Sequence, residues 1–193
     1  MRITNEKNDI RNPLFTELQL KRRVEQLGEQ LTADYAGKEP IVACVLKGSS
    51  MFYADLCRAM KCHMFMDFIA ASSYGAESKS SGIVKIVKDL DTDVFNRHVL
   101  IVEDIIDSGR TLSHLAEYLK LKGVRSVRTC TLLDKPERRE VSFTPDYVGF
   151  TIPDEFVVGY GLDYNEAYRE LPFVGVLRPS VYAKELVEER DEK

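Results

Sequence analysis

One stretch, Val99–Leu112 (VLIVEDIIDSGRTL), limits what this chain can fold into more than any other. Its first four residues are all apolar, the pattern of a strand covered on both faces, as in parallel sheets. That strand delivers two adjacent carboxylates, Glu103 and Asp104, to its carboxyl end. The chain then turns through Asp107, Ser108, Gly109, Arg110 and Thr111 into a helix, with Leu112, Leu115, Ala116 and Leu119 at helical spacing and Gly123 as the stop. A helix start offers unpaired N–H groups and the positive end of the dipole, and two hydroxyls and a glycine beside it complete a cup for a phosphate. Carboxylates next to a phosphate repel it unless a cation or a sugar lies between, and Mg²⁺ with ribose hydroxyls fits that gap. An N-cap role explains one of these acids but not three at the end of so apolar a strand.

The flanking sequence supplies the scaffold. Residues Glu17–Ala36 carry Leu20, Val24, Leu27, Leu31 and Tyr35 at helical spacing, with Thr16 and Gln19 as a capping box and Gly37 as the stop. Ile41–Leu46 (IVACVL) is a second fully apolar strand, followed by Lys47, Gly48 and Ser49 and a helix over Met51–Met60. His63–Ala71 and Ile83–Val87 are strand candidates. Residues 72–82 between them are rich in Ser and Gly and without apolar periodicity, which predicts a mobile lid. Ser126–Leu133, Tyr147–Phe150 and Phe156–Tyr160 continue the strand series, and the charged end KELVEERDEK is expected to fray. Strands alternating with helices predict an α/β fold, a parallel sheet with helices on both faces and ligands at the carboxyl ends of the strands.

Composition removes several function classes. A chain of 193 residues is expected to form a single domain over 1–193. With 27 Lys and Arg against 31 Asp and Glu, the net charge of −4 argues against a protein that coats nucleic acid. No apolar run approaches the about 18 residues of a membrane span, and the opening residues lack the apolar core of a secretion signal, so a cytoplasmic protein without membrane or nucleic-acid partners is expected. Cys44, Cys57, Cys62 and Cys130 form no C-x-x-C pair, and His63, His98 and His114 are scattered, so structural zinc is not expected. A Walker A motif is absent, and Gly159 with Gly161 gives only a G-x-G, too little for a dinucleotide site.

Four further segments occur in register with the acidic stretch. They are VLKGSSMF around Lys47, SSYG at Ser72–Gly75, LLDKPERR around Lys135, and PDYVGFTIPDEFVVGYGLDYNEAYRELPFVGVL from Pro145 to Leu177. Together they resemble the hypoxanthine-guanine phosphoribosyltransferase family, type I phosphoribosyltransferases, in its bacterial form, over Val42–Leu177. The resemblance implies a parallel-sheet core, a hood over the purine site within 145–177, and a flexible lid. It also implies Mg²⁺-dependent transfer of the 5-phosphoribosyl group from phosphoribosyl pyrophosphate (PRPP) to N9 of a 6-oxopurine. Hypoxanthine, guanine or xanthine would be the base, and a nucleoside monophosphate (IMP or GMP) and pyrophosphate the products, in a homodimer or homotetramer.

By the same resemblance, Lys47 and Gly48 bind pyrophosphate through a loop entered by a cis peptide bond, and Arg169 joins them. Glu103 and Asp104 bind the ribose hydroxyls and reach Mg²⁺, Asp107, Ser108, Gly109, Arg110 and Thr111 cradle the 5′-phosphate, and Asp107 is the general acid/base near N7. Lys135 donates to the 6-oxo group, Phe156 stacks on the ring, Val157 presents backbone groups to its edge, and Asp163 completes the base and metal sites. Ser73 and Tyr74 close over the reaction. Alone, Phe156 reads as core, Tyr74 as a loop aromatic, and Lys47 and Arg169 as solvated charges; only their joint order gives them roles. Ser108 and Arg110 stand where relatives often carry Thr and Lys, which keeps the hydroxyl and turns Arg110 outward. The competing reading is a phosphoribosyltransferase-fold regulator that senses PRPP or nucleotides. Such a protein should lose purine-site residues, whereas Lys135, Asp163 and Arg169 are present.

Overall fold

Two apolar runs set the centre of the molecule. In the structure, a computed structural model that describes residues 6–73 and 84–182, Ile41–Leu46 (β2) lies between Phe65–Ser73 (β3) and His98–Ile106 (β5), parallel to both. Val84–Lys88 (β4), Ser126–Asp134 (β6) and Tyr147–Thr151 (β7) complete a six-stranded sheet in the order β4-β3-β2-β5-β6-β7. Ile41 to Val45 and Val99 to Val102 are buried, as strands covered on both faces must be.

A short helix, Glu6–Asp9 (α1), opens the described residues, and the longer helices cover the two faces. Glu17–Asp34 (α2) and Ser50–Ala59 (α3) pack on one, where Leu20, Val24, Leu27 and Leu31 meet Phe52, Leu56, Val42 and Leu100. Arg110–Leu121 (α4) covers the other through Leu112, Leu115 and Leu119 against Ile101 and Ile41. Each such side chain contributes about 1.5–3 kcal/mol on full burial. The capping box at Thr16 and Gln19 is formed, with Thr16 N–H donating to Gln19 Oε1 at 2.9 Å. Arg23 reaches the edge strand and donates to the carbonyls of Val148 (2.7 Å) and Gly149 (2.8 Å), satisfying groups that would otherwise face solvent.

The structure adds detail to four sequence expectations. The parallel core carries one antiparallel edge strand, β4, which pairs with β3. Strand β5 runs to Ile106 rather than ending at Val102, since its pairing with β6 continues to Ile106 opposite Asp134, so Glu103 and Asp104 lie inside the strand. Phe156–Tyr160 shortens to Val157–Val158 (β8), where positive φ angles at Gly159, Tyr160 and Gly161 turn the chain out of the ladder. The segment 145–177 is divided: β7 belongs to the main sheet, while β8 and Val174–Leu177 (β9) join Ile10–Phe15 (β1) in a separate three-stranded antiparallel sheet. Of the lid read over 72–82, Ser72 and Ser73 end β3, and 74–82, including Tyr74, lie outside the described residues. The charged end at 184–193 also lies outside them. Among the described residues, no helix is long and apolar enough to cross a membrane.

Candidate active site

The strand order reverses direction between β2 and β5. The chain leaves β2 through α3 toward β3 on one side, and leaves β5 through α4 toward β6 on the other. In open α/β sheets such a switch point leaves a crevice at the carboxyl ends of the two strands, where ligands bind. Here the two loops that flank it are Lys47–Ser49 and Asp107–Gly109.

Pairing of β2 with β5 stops at Cys44 opposite Val102, one residue before the acids. The Lys47–Ser49 loop, entered through a cis Leu46–Lys47 bond as the resemblance implied, fills the space beside them. Buried Ser49 accepts a hydrogen bond at its Oγ from Asp104 N–H at 3.0 Å. Any side chain at position 48 would overlap the Asp104 carboxylate, so Gly48 is what lets the loop approach. Glu103 Oε2 is buried and has no hydrogen-bond partner among the described residues. Burial, with the adjacent Asp104 charge, holds the Glu103 carboxyl well above the usual carboxylate range, and burial also raises Asp104. Burial and the neighbouring acid both oppose ionisation of Glu103 until a cation or a donor arrives.

This costs stability. Between the ordinary carboxylate pKa and its own raised value, folded Glu103 holds a proton that the unfolded chain has released, so stability falls as pH rises through that window. Glu103→Gln should therefore stabilise the ligand-free protein by about 1 kcal/mol near neutral pH, or about 2–4 °C in Tm for a chain of this size. The gain should vanish near pH 4. Thermal melts of both proteins across pH check this, and a mutant less stable at neutral pH would contradict it.

The second loop forms the cup. Gly109 is the N-cap of α4 at φ 81°, a conformation that favours glycine, and a Cβ there would also press on Arg139 Cδ at 2.9 Å. Glu103, Ile105, Asp107, Ser108, Gly109 and Thr111 contribute to a cavity of about 110 Å³ at this helix start. Ser108 Oγ is 3.4 Å from Arg110 N. Arg110 turns outward to Glu140 at 2.6 Å, as expected.

Beyond the cup lies a charged corner. Lys135 N–H donates to Ile106 O (3.0 Å), and the Lys135 side chain is buried, with Nζ 3.8 Å from Asp154 Oδ1. Arg138 bridges Asp154 (3.4 Å) and Asp107, whose Oδ1 is 3.2 Å from Arg138 Nε without hydrogen-bond alignment. Two residues past Asp154, Phe156 is 40% exposed, with Tyr182 stacked on it at 5.2 Å and Tyr164 edge-on at 5.7 Å. Val157 is buried opposite Val176.

Arg169 closes the other side. Its guanidinium donates to Gly161 O (2.7 Å) and pairs with Asp163 (2.8 Å), and a Cβ on Gly161 would overlap Gly48 O, so this turn rests on the Lys47 loop. Asp163 is thus tied to Arg169 and to Glu166 N–H (2.9 Å), rather than joining Glu103 and Asp104 in the expected three-acid metal site. Among the described residues no three acidic, His or Cys side chains converge at metal-binding distance. Arg138, Asp154 and Glu166 were missed in the sequence; the only hint was their position inside the LLDKPERR and Pro145–Leu177 segments.

A phosphoribosyl transferase domain family model matches residues 14–165. The hypoxanthine-guanine phosphoribosyltransferase of Lactococcus lactis is 53% identical over 175 residues, 91% of this chain and 95% of that protein. The chain belongs to the hypoxanthine-guanine phosphoribosyltransferase family. A crystal structure of a hypoxanthine phosphoribosyltransferase from Staphylococcus aureus shares the type I phosphoribosyltransferase fold, with a TM-score of 0.89 and 46% identity over 94% of this chain and 99% of that one. The bifunctional protein TilS/HprT of Listeria innocua is 51% identical over 92% of this chain, which spans 27% of that protein's length. The family's segments are thus found both as proteins of about this length and within a much longer one.

Proposed function

We propose that this chain catalyses purine salvage: Mg²⁺-dependent transfer of the 5-phosphoribosyl group from PRPP to N9 of hypoxanthine or guanine, giving IMP or GMP and pyrophosphate. The observation that carries the reading is the Glu103–Asp104 pair, whose buried Glu103 Oε2 has no partner among the described residues, at the β2/β5 switch point between the Lys47–Gly48 loop and the Gly109 cup. Its relatives' names point to the same activity.

In this reading Asp107, Ser108, Gly109, Arg110 and Thr111 hold the 5′-phosphate at the start of α4, where N–H groups and the helix dipole favour an anion. Glu103 and Asp104 accept from the ribose hydroxyls. As the bond from C1′ to the pyrophosphate oxygen breaks and the bond to N9 forms, their charge stabilises the cationic ribose. Mg²⁺ is characteristically held by one or two carboxylates plus substrate oxygens, so the acid pair is a fitting donor set, and the ion supplies charge neutralisation for the leaving group. Lys47, Gly48 and Arg169 face the departing pyrophosphate. Asp107 takes the proton the base loses, at N7, as N9 attacks. Lys135 donates to the 6-oxo group, Phe156 stacks on the ring, and Val157 and Asp163 border the base, where Asp163 would also be a carboxylate available to the metal.

The unit that does this is the single domain 1–193, with 145–177 supplying the purine side and 72–82, including Ser73 and Tyr74, the cover that excludes water from PRPP. We place it in the cytoplasm as a homodimer or homotetramer, as the family resemblance suggests. The test is a panel of hypoxanthine, guanine, xanthine and adenine, each supplied with PRPP and Mg²⁺ and assayed for nucleotide. Turnover with the oxopurines and little with adenine is expected. Faster turnover with adenine would overturn the base assignment, and PRPP binding without turnover on any base would favour the regulator.

A further inference from the structure

The two cations assigned to pyrophosphate already share one carboxylate. Lys47 Nζ is 3.1 Å from Glu166 Oε2, and Arg169 Nη2 is 3.5 Å from Glu166 Oε1. Glu166 sits in a tight turn with Asn165, both at positive φ (61° and 50°), and its N–H is held by Asp163 Oδ2 at 2.9 Å. The turn therefore aims the side chain independently of what the carboxylate touches. That carboxylate is the most exposed of the partners around Arg169: Glu166 is 64% exposed against 29% for Asp163. Asp163 is the fixed partner of the guanidinium, and Glu166 is the one free to leave.

We propose that Glu166 is the displaceable counter-ion of the pyrophosphate subsite, a positioning residue that holds Lys47 and Arg169 in place between turnovers and speeds release of pyrophosphate by competing for them. The inference rests on the reading of Lys47 and Arg169 as pyrophosphate ligands. Both states of Lys47 satisfy its charge, on Glu166 when the subsite is free and on pyrophosphate when it is filled. Binding must break the ion pair and leave the Glu166 carboxylate beside a polyanion, so the residue weakens the bound state. Exposed ion pairs are individually weak, and this suits a contact that has to open on every turnover. Salt should screen it.

The consequence is that removing one negative charge tightens anion binding. Titration calorimetry of the intact protein with pyrophosphate and Mg²⁺, without base, reads it. Glu166→Gln keeps the shape and the backbone turn, and its Kd for pyrophosphate should fall about three- to tenfold at low salt, converging on wild type as salt rises. Glu166→Asp, with the charge retained, should return toward wild type. In steady state the KM for PRPP should fall with the Kd while the KM for hypoxanthine stays, a split that general loosening of the turn would not produce.

Lys47→Ala separates the two levels of the argument. It should weaken pyrophosphate binding and, in the double variant, remove most of the gain from Glu166→Gln. If Lys47→Ala leaves the Kd unchanged, the pyrophosphate reading of Lys47 falls and takes this proposal with it. If Lys47→Ala weakens binding but Glu166→Gln, melting at the wild-type temperature, leaves the Kd unchanged or raises it, the reading stands and the counter-ion proposal is overturned.

Discussion

Replacing Asp107 with Asn lowers kcat by about 10² to 10⁴, the range typical of losing general acid/base help. The amide keeps the size of the side chain, so the Gly109 cup and its helix start remain, and PRPP binding should change far less than turnover. What the amide cannot do is accept the proton that leaves N7 as N9 attacks. Arg138, 3.2 Å from Asp107 Oδ1, sharpens the expectation. It pairs with the carboxylate in the free protein and loses that partner's charge in the mutant, while keeping its ion pair with Asp154. Kinetics of PRPP binding and of turnover, measured separately, check this; unchanged turnover would remove Asp107 as the base.

Lys135→Gln gives the second large effect, on choice of base. Lys135 Nζ is a donor without acceptor capacity, on a side chain buried beside Asp154. It suits the 6-oxo group of hypoxanthine and guanine. Adenine places an amino group there, so a buried charged donor faces another donor, and leaving such a group unpaired costs about 1–3 kcal/mol or more. Wild type should therefore favour hypoxanthine over adenine by at least about tenfold to a few hundredfold in kcat/KM from this contact. Gln both donates and accepts, so the mutant should lose hypoxanthine activity and narrow the ratio. A ratio unmoved by the substitution would take Lys135 out of the base site.

The core of the fold was legible because its signal is local. IVACVL and VLIV are apolar without interruption, and α2 carries its period and its capping box in consecutive residues. Where the decisive partner is distant, the local pattern misleads. The acids at 103 and 104 look like the end of a strand, yet β6 continues to pair with the backbone past them. IRNPLF, with Asn12 and Pro13 breaking the apolar pattern, gives no strand signal, but Val174–Leu177 from the far end of the chain recruits it into the small sheet.

The site divides in the same way. In the proposed site, Glu103, Asp104 and the Asp107–Thr111 turn carry their expected phosphate and cation chemistry within nine residues. Lys135, Phe156 and Arg169 gain meaning only from the order of several motifs. Arg138, Asp154 and Glu166 are single charges in charged surroundings. Their significance lies in which group each one faces across the crevice, and spacing along the chain does not encode that.

The most direct test of the central claim, that the acid pair between the two loops makes this chain a phosphoribosyl transferase, is product stoichiometry. The protein is incubated with PRPP, Mg²⁺ and hypoxanthine, and inosine monophosphate and pyrophosphate are quantified together. Equal amounts of the two products, formed only when base is present and lost in the Glu103→Gln, Asp104→Asn double variant, are predicted. Bound PRPP with no nucleotide formed, or nucleotide formation that survives loss of both carboxylates, would contradict the account.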